Sequence, residues 1–379
     1  MFKKNKTKNT LVDLLDGKSV NPEVGDIDKT SKLIGWFFDK SGLKVEMEGI
    51  HVGPVVSQFT FTLEGNTKIA DFEGVDKKIA KALDVPSVRI EIPIPGTCLG
   101  GVEIKNKKAG IVALKDLLKD KHFKLDNKDL TIPLGVKVTG EFAYVDFASL
   151  PHLLVAGATS SGKTMFLNTL IISLICKFTP EELKFILVDP KRVDMTVYNG
   201  LPYLLTPVVE ENKKTIDALK WTASEMDRRF KILAEAGKWN IAEYNKEAKE
   251  KMPFIFFIVD EAADIMVSEH GKEFEQEMIK IAQMGRAVGI HIILATSRPC
   301  DSVLPPMLRA NIPARLAFST ASRVDSEIIL DMAGAERLLG MGDALFSSAE
   351  ISRPWRIKTP FVSDEEVERV VDYLREKNK

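Results

Sequence analysis

Two rhythms of apolar and polar residues divide the chain. Up to about residue 128 the apolar runs are short and frequently broken. Asp28 and Thr30 precede Leu33, Ile34, Trp36 and Phe37, a capped helix start. Val45 to Gly53 and Val55 to Leu63 alternate as strands do, with Gly53-Pro54 as the turn between them. Gly74 to Leu83 predicts a second helix, with Ile79 and Leu83 one turn apart. Ser87 to Ile94 and Gly101 to Ile104 are further strand candidates, punctuated by Pro93, Pro95 and Gly96. This pattern predicts a small α+β domain over residues 26–128, behind a polar, loose segment at 1–25.

From about residue 129 to residue 379 the rhythm becomes strand, loop, long helix. His152 to Ala156, Lys184 to Val188, Pro253 to Val259 and His291 to Ala295 are nearly continuous apolar runs, the pattern of strands covered on both faces. Lys163 to Lys177, Asn212 to Ala236 and Gly271 to Val288 read as the crossover helices. Ser363 and Glu366 form a capping box that opens a terminal amphipathic helix through Val367, Val370, Val371 and Leu374. The expectation is an α/β fold: a doubly wound, mainly parallel sheet behind a smaller domain.

Composition adds limits. The 379 residues, 45% of them apolar, can bury a large core. Lys plus Arg (53) nearly balances Asp plus Glu (54), so bulk positive charge is not how this chain meets nucleic acid or membrane. Any such contact must come from placed residues. Cys98, Cys176 and Cys300 lie too far apart for a disulfide framework or a zinc pattern, and Cys176 reads as core. Met1 to Thr10 lacks the apolar region of a signal peptide, and the longest apolar stretch, Met165 to Cys176, is too short to span a membrane. A soluble, cytoplasmic protein is expected.

The chemistry is concentrated at strand ends. Gly157-Ala158-Thr159-Ser160-Ser161-Gly162-Lys163-Thr164 fits the phosphate-loop pattern between a strand and a helix. Successive N–H groups there would face the phosphates of ATP, Lys163 would meet the β- and γ-phosphates, and Thr164 would ligate Mg²⁺. Asp260 and Glu261 follow a second apolar strand. Asp260 would complete the Mg²⁺ shell and Glu261 would polarise the attacking water, unless the pair is only the acidic first turn of a helix. Thr296 and Ser297, with Arg298, end a third strand, either as γ-phosphate sensors or as a simple turn before Pro299. Asp189 either supports the site from behind or closes a turn. Arg286 either complements a helix C-terminus or reaches into a neighbouring subunit's site.

Several segments resemble the FtsK/SpoIIIE motors. They are Pro151 to Thr164, Leu187-Val188-Asp189-Pro190-Lys191, Gly285 to His291, Leu294 to Pro299, Arg309 to Pro313, and Gly334 to Asp343. Thr30 to Ile34, Gly53 to Val56 and Ala82 to Arg89 look like the α subdomain of that family, and the part after about residue 130 looks like its RecA-like β subdomain. The resemblance covers about residues 28 to 375. It implies a homohexameric ring that pumps double-stranded DNA by ATP hydrolysis, for DNA segregation or mobile-element transfer. It also favours Arg286 as an arginine finger, and places Arg298, Arg309 and Arg323 on pore loops facing DNA phosphates. Contacts of that kind give grip without reading sequence.

Four departures matter. Ser297 stands where the family usually has Gln, and Ser326-Glu327 stands where it often has Ser-Arg. No membrane-spanning region is expected before the motor, and so no tethering at a septum. No winged-helix γ domain is expected after Lys379, and a motor without one would lack intrinsic direction unless a partner supplies it. The competing function is a cytoplasmic ATPase of a secretion or conjugation system.

Overall fold

The computed structural model describes residues 10–85, 87–94, 96–123 and 130–378. Met1 to Asn9, Pro86, Pro95 and the expected boundary at residues 128 and 129 lie outside the described residues.

Among the described residues the strands form two sheets. The smaller has the order β1-β2-β4-β3, from β1 (Val45–Val52), β2 (Val56–Leu63), β3 (Val88–Glu91) and β4 (Gly100–Lys105), all antiparallel. Helices α1 (Ile27–Lys40) and α2 (Val75–Leu83) cover one face, where Ile34, Phe38, Phe59, Phe61 and Ile79 make a separate core. The expected helix start is present two residues early: Asp26, not Asp28, caps α1 by accepting from Lys29 N–H at 3.0 Å.

The larger sheet has nine strands. Its centre is parallel: β11 (Ala314–Phe318), β7 (His152–Ala156), β10 (Ile290–Thr296), β9 (Phe254–Val259) and β8 (Leu183–Val188) lie side by side. The apolar runs are continuous because alternate residues feed different cores. Leu153 and Val155 of β7 face the layer holding α4 (Lys163–Lys177), while Leu154 and Ala156 face the layer holding α5 (Asn212–Glu235), α6 (Ile241–Glu247), α7 (Ala262–Met266) and α8 (Gly271–Met284). Burial on both faces is what a parallel sheet demands of its strands.

Four antiparallel strands extend this core: β12 (Asp343–Ser347), β13 (Trp355–Lys358), β5 (Thr131–Lys137) and β6 (Phe142–Asp146). The apolar pattern did not expose them: Pro133 and Gly135 interrupt β5, and β12 and β13 carry polar residues such as Asp343, Arg356 and Lys358. The helix expected over Gly271 to Val288 also breaks at Met284, where Gly285–Val288 tightens to a 3-10 turn.

Two boundaries move. Helix α3 (Leu114–Lys119) was grouped by sequence with the small domain. Its Leu114 and Leu118 instead join the core beneath the larger sheet. The segment 1–25 is not loose where it is described. Leu11, Val12 and Leu15 are 2%, 2% and 1% exposed, packed with Leu114, Leu118 and Leu374. Asp16 N–H donates to Glu366 at 2.6 Å, and the Asp16 carboxylate pairs with Arg369 at 2.9 Å. A helical turn at residues 10–13 is too brief to show periodicity, so its burial was invisible in sequence. Leu15→Ala should therefore destabilise the fold by about 2–5 kcal/mol in urea unfolding. An unchanged midpoint would mean that this segment does not dock.

Candidate active site

Parallel strands end at one edge of the sheet, and ligands of such folds sit there. Here the carboxyl ends of β7, β8, β9 and β10 deliver the phosphate loop, Asp189, Asp260 with Glu261, and Thr296 with Ser297.

The loop between β7 and α4 is shaped by its glycines and its lysine. Gly162 has φ 122°, and a Cβ there would stand 2.7 Å from Gly342 N. Ser160 takes a left-handed φ of 60° at the exposed crest, while Ser161 is buried with an unpartnered Oγ. Lys163 Nζ donates to the carbonyls of Gly157 and Ala158 at 2.9 and 2.8 Å, folding over the loop. Burial lowers its pKa, against the pull of Glu261 and Asp260. The N-terminus of α4, a fifteen-residue helix, opens at Lys163 and adds its dipole to the loop.

Asp260 is 5% exposed, and its carboxyl is pushed up to about 7 by burial first and then by Asp194. Asp194 is also raised, by burial and by Asp189. Thr164 Oγ1 donates to Asp194 Oδ2 at 3.5 Å. Crowded carboxylates that resist ionisation together suit a cation. No group of three or more His, Cys, Asp or Glu forms a protein-only metal cage among the described residues. The donors present, Thr164 Oγ1 beside Asp194 and Asp260, are of the kind that bind a hard divalent cation together with phosphate oxygens and water. Asp194 was missed in sequence because it lies six residues past its strand, in a loop that no motif marks.

Glu261, 2% exposed, is the most heavily bonded side chain of the site. It accepts from Thr296 Oγ1 (2.7 Å), Ser297 N–H (3.0 and 3.1 Å), Ser297 Oγ, Ala263 N–H (3.3 Å) and Lys191 Nζ (3.1 Å). Burial works to raise its pKa, but the bonds from Ser297, Thr296 and Lys191 prevail and hold it low. The two expected sensor residues thus clasp the expected base, alongside Lys191, to which the sequence pattern assigns no role. Its position just past β8, at the same sheet edge, was the available signal. Asp189 closes a turn: its carboxylate accepts from Lys191, Arg192, Asp194 and Met195 N–H at 3.0–3.1 Å, which aims Lys191 at Glu261.

Arg286 stands apart. It lies in the turn before β10, with Nε bonded to Ala148 O at 3.0 Å, at the amino edge of the sheet. The seven residues of β10 separate it from Thr296 by about 20 Å, so it cannot reach its own chain's phosphate loop. The basic candidates also differ among themselves. Arg298 is exposed beyond β10. Arg323 heads α10 (Arg323–Leu330) and pairs with Glu327 at 2.7 Å. Arg309 is tied to Ile328 O (2.8 Å) and Asp301 (3.0 Å), with a side chain 15% exposed, so it first of all holds α9 (Pro306–Asn311) against α10.

The fold and this edge define a RecA-like P-loop ATPase core joined to a small antiparallel domain. Residues 113–301 match the FtsK/SpoIIIE family and residues 10–106 match the FtsK alpha domain, a division that also assigns α3 to the larger unit. The chain belongs to the FtsK/SpoIIIE family. It is 41% identical over 336 residues to the DNA translocase FtsK of Caldanaerobacter subterraneus, covering 88% of this chain and 47% of that one. It is 40% identical over 367 residues to that of Bacillus anthracis, covering 94% and 46%. The chain thus spans about half the length of the curated relatives it matches. Among solved structures, the pCW3 conjugation coupling protein TcpA, in a monomer form with ATPγS, shares the fold (TM-score 0.64, 20% identity, 93% of this chain and 100% of that one). The Type VII secretion ATPase EccC of Thermomonospora curvata aligns with TM-score 0.60 and 25% identity, over 70% of this chain and 34% of that one. No helix among the described residues is long and apolar enough to cross a membrane.

The crossing of Gly162 and Gly342 gives a direct test. Gly162→Ala should abolish binding of a fluorescent ATP analogue while leaving thermal unfolding cooperative, because its Cβ would meet backbone at a left-handed φ. Retained binding would mean that the loop does not depend on this packing.

Proposed function

We propose that this chain is the motor of an ATP-driven double-stranded DNA translocase, working in the cytoplasm as a ring of copies, with six as the family expectation. The observation that carries this reading is similarity at about 40% identity, along nearly the whole chain, to proteins known as DNA translocases. The small domain and the phosphate loop are both included in that similarity.

In this reading the loop N–H groups and Lys163 hold the β- and γ-phosphates of ATP. Thr164 and Asp260, with Asp194 beside them, would hold Mg²⁺, which when bound screens charge on the phosphate oxygens. Glu261 takes a proton from the attacking water. Its carboxylate is saturated by donors in the present arrangement, so it must release one before it can act. Lys191, with a side chain 44% exposed, is the donor best placed to leave, drawn by the γ-phosphate. Arg286 serves the adjoining subunit's site, a reading supported by its place on the opposite sheet edge. Arg298 is the foremost candidate for DNA phosphates. Arg323 would share its charge with Glu327, and Arg309 would have to give up Asp301.

Steady-state ATP hydrolysis with and without long duplex DNA, coupled to displacement of a triplex third strand, tests the proposal. Strong stimulation with displacement is expected, whereas DNA-independent hydrolysis without displacement would favour a secretion or conjugation ATPase. Arg298→Ala should leave basal hydrolysis intact and weaken duplex binding, lowering the salt slope by about one. An unchanged slope would remove Arg298 from the DNA path.

A further inference from the structure

The two domains meet through a buried ion network whose far end touches the phosphate loop. Glu103 of β4, with a side chain 1% exposed, accepts Arg356 Nη1 of β13 at 2.5 Å. The other edge of the Arg356 guanidinium grips Asp343 of β12, with Nε to Oδ1 at 3.1 Å and Nη2 to Oδ2 at 2.7 Å. Asp343 Oδ2 also accepts Leu339 N–H at 2.9 Å, which fixes the turn holding Gly342. Within that turn Gly342 N–H donates to Ser161 O of the phosphate loop at 2.8 Å, and a Cβ on Gly162 would stand 2.7 Å from Gly342 N. Arg89 brings a second cation to Glu103 at 3.4 Å and pairs with Glu91 at 3.2 Å.

Such a network is stiff. A buried charge that loses its partner is costly, and a planar guanidinium bonded along two edges fixes the mutual orientation of both carboxylates. Burial works against ionisation of Glu103, yet Arg89 and Arg356 keep its carboxyl ionised. The network spans three chain segments far apart in sequence, and nothing in ATP chemistry itself uses it. A second contact between the domains runs elsewhere: Arg353 donates to the carbonyls of Ile92 and Pro93 at 3.2 and 3.0 Å.

We infer that Arg356 is a positioning residue that ties the shape of the phosphate loop to the seating of the small domain on the ATPase core. Nucleotide bound at Gly157–Thr164 is felt at Glu103 through Gly342, Asp343 and Arg356. The inference rests on the reading of the loop as an ATP site, and its test reads no DNA transport. Hydrogen exchange on the full chain, with and without Mg²⁺ and ATPγS, is the measurement. Nucleotide should change exchange both in the phosphate loop and across β3 and β4. In Glu103→Gln the loop should still respond while the response of β4 is lost. Should that variant fail to fold, Arg356→Lys, which keeps the charge and loses the fork, carries the same test. Arg353→Ala, which loosens the other contact, should leave the distant response in place.

A response at β4 that survives both Glu103→Gln and Arg356→Lys would overturn the inference. So would a wild-type chain whose loop responds while β4 does not, or loss of the response in Arg353→Ala. A loop that shows no response at all would instead sink the ATP reading, and the inference with it.

Discussion

Parallel pairing of β7, β8, β9 and β10 brings their carboxyl ends to a single edge, and the site depends on that alignment. The strands can run together only if both faces are covered, which is why their residues are apolar without alternation. At the edge the backbone leaves the ladder, and side chains that would be intolerable a few residues earlier become useful. Asp260 and Glu261 follow directly on Val259, and Thr296 closes β10 beside them. Their burial is the cost of this placement, and the dense bonding of Glu261 is how that cost is offset.

The same geometry divides the charged residues into two sets. Lys163, Lys191, Asp194, Asp260 and Glu261 converge at the carboxyl edge, while Arg286 is held by Ala148 at the amino edge. A strand's length lies between them. A residue so placed can act on a phosphate only across a contact between copies, so assembly is part of the proposed chemistry and not an addition to it.

What could be read from sequence followed from signal length. The phosphate loop is an eight-residue pattern with a fixed place between strand and helix, and β7 and α4 lie at the residues expected for them. Glu261 was legible as a candidate base because it follows an apolar strand. Its restraint by Ser297 and Lys191 was not, since those bonds join segments distant in sequence. Ser297 was legible as a candidate phosphate sensor, while the donation of its hydroxyl to Glu261 was not. The docked turn at Leu11, Val12 and Leu15 and the antiparallel strands β12 and β13 were missed for another reason. Each is short, and each owes its burial to partners that no local period reveals.

The central claim is that one catalytic site is built from two copies of this chain. Mixing Lys163→Ala with Arg286→Ala tests it most directly, since each variant retains the part that the other lacks. ATP turnover, absent from either variant alone, should return in the mixture. A mixture as inactive as its components, or an Arg286→Ala chain that hydrolyses ATP unaided, would contradict the account.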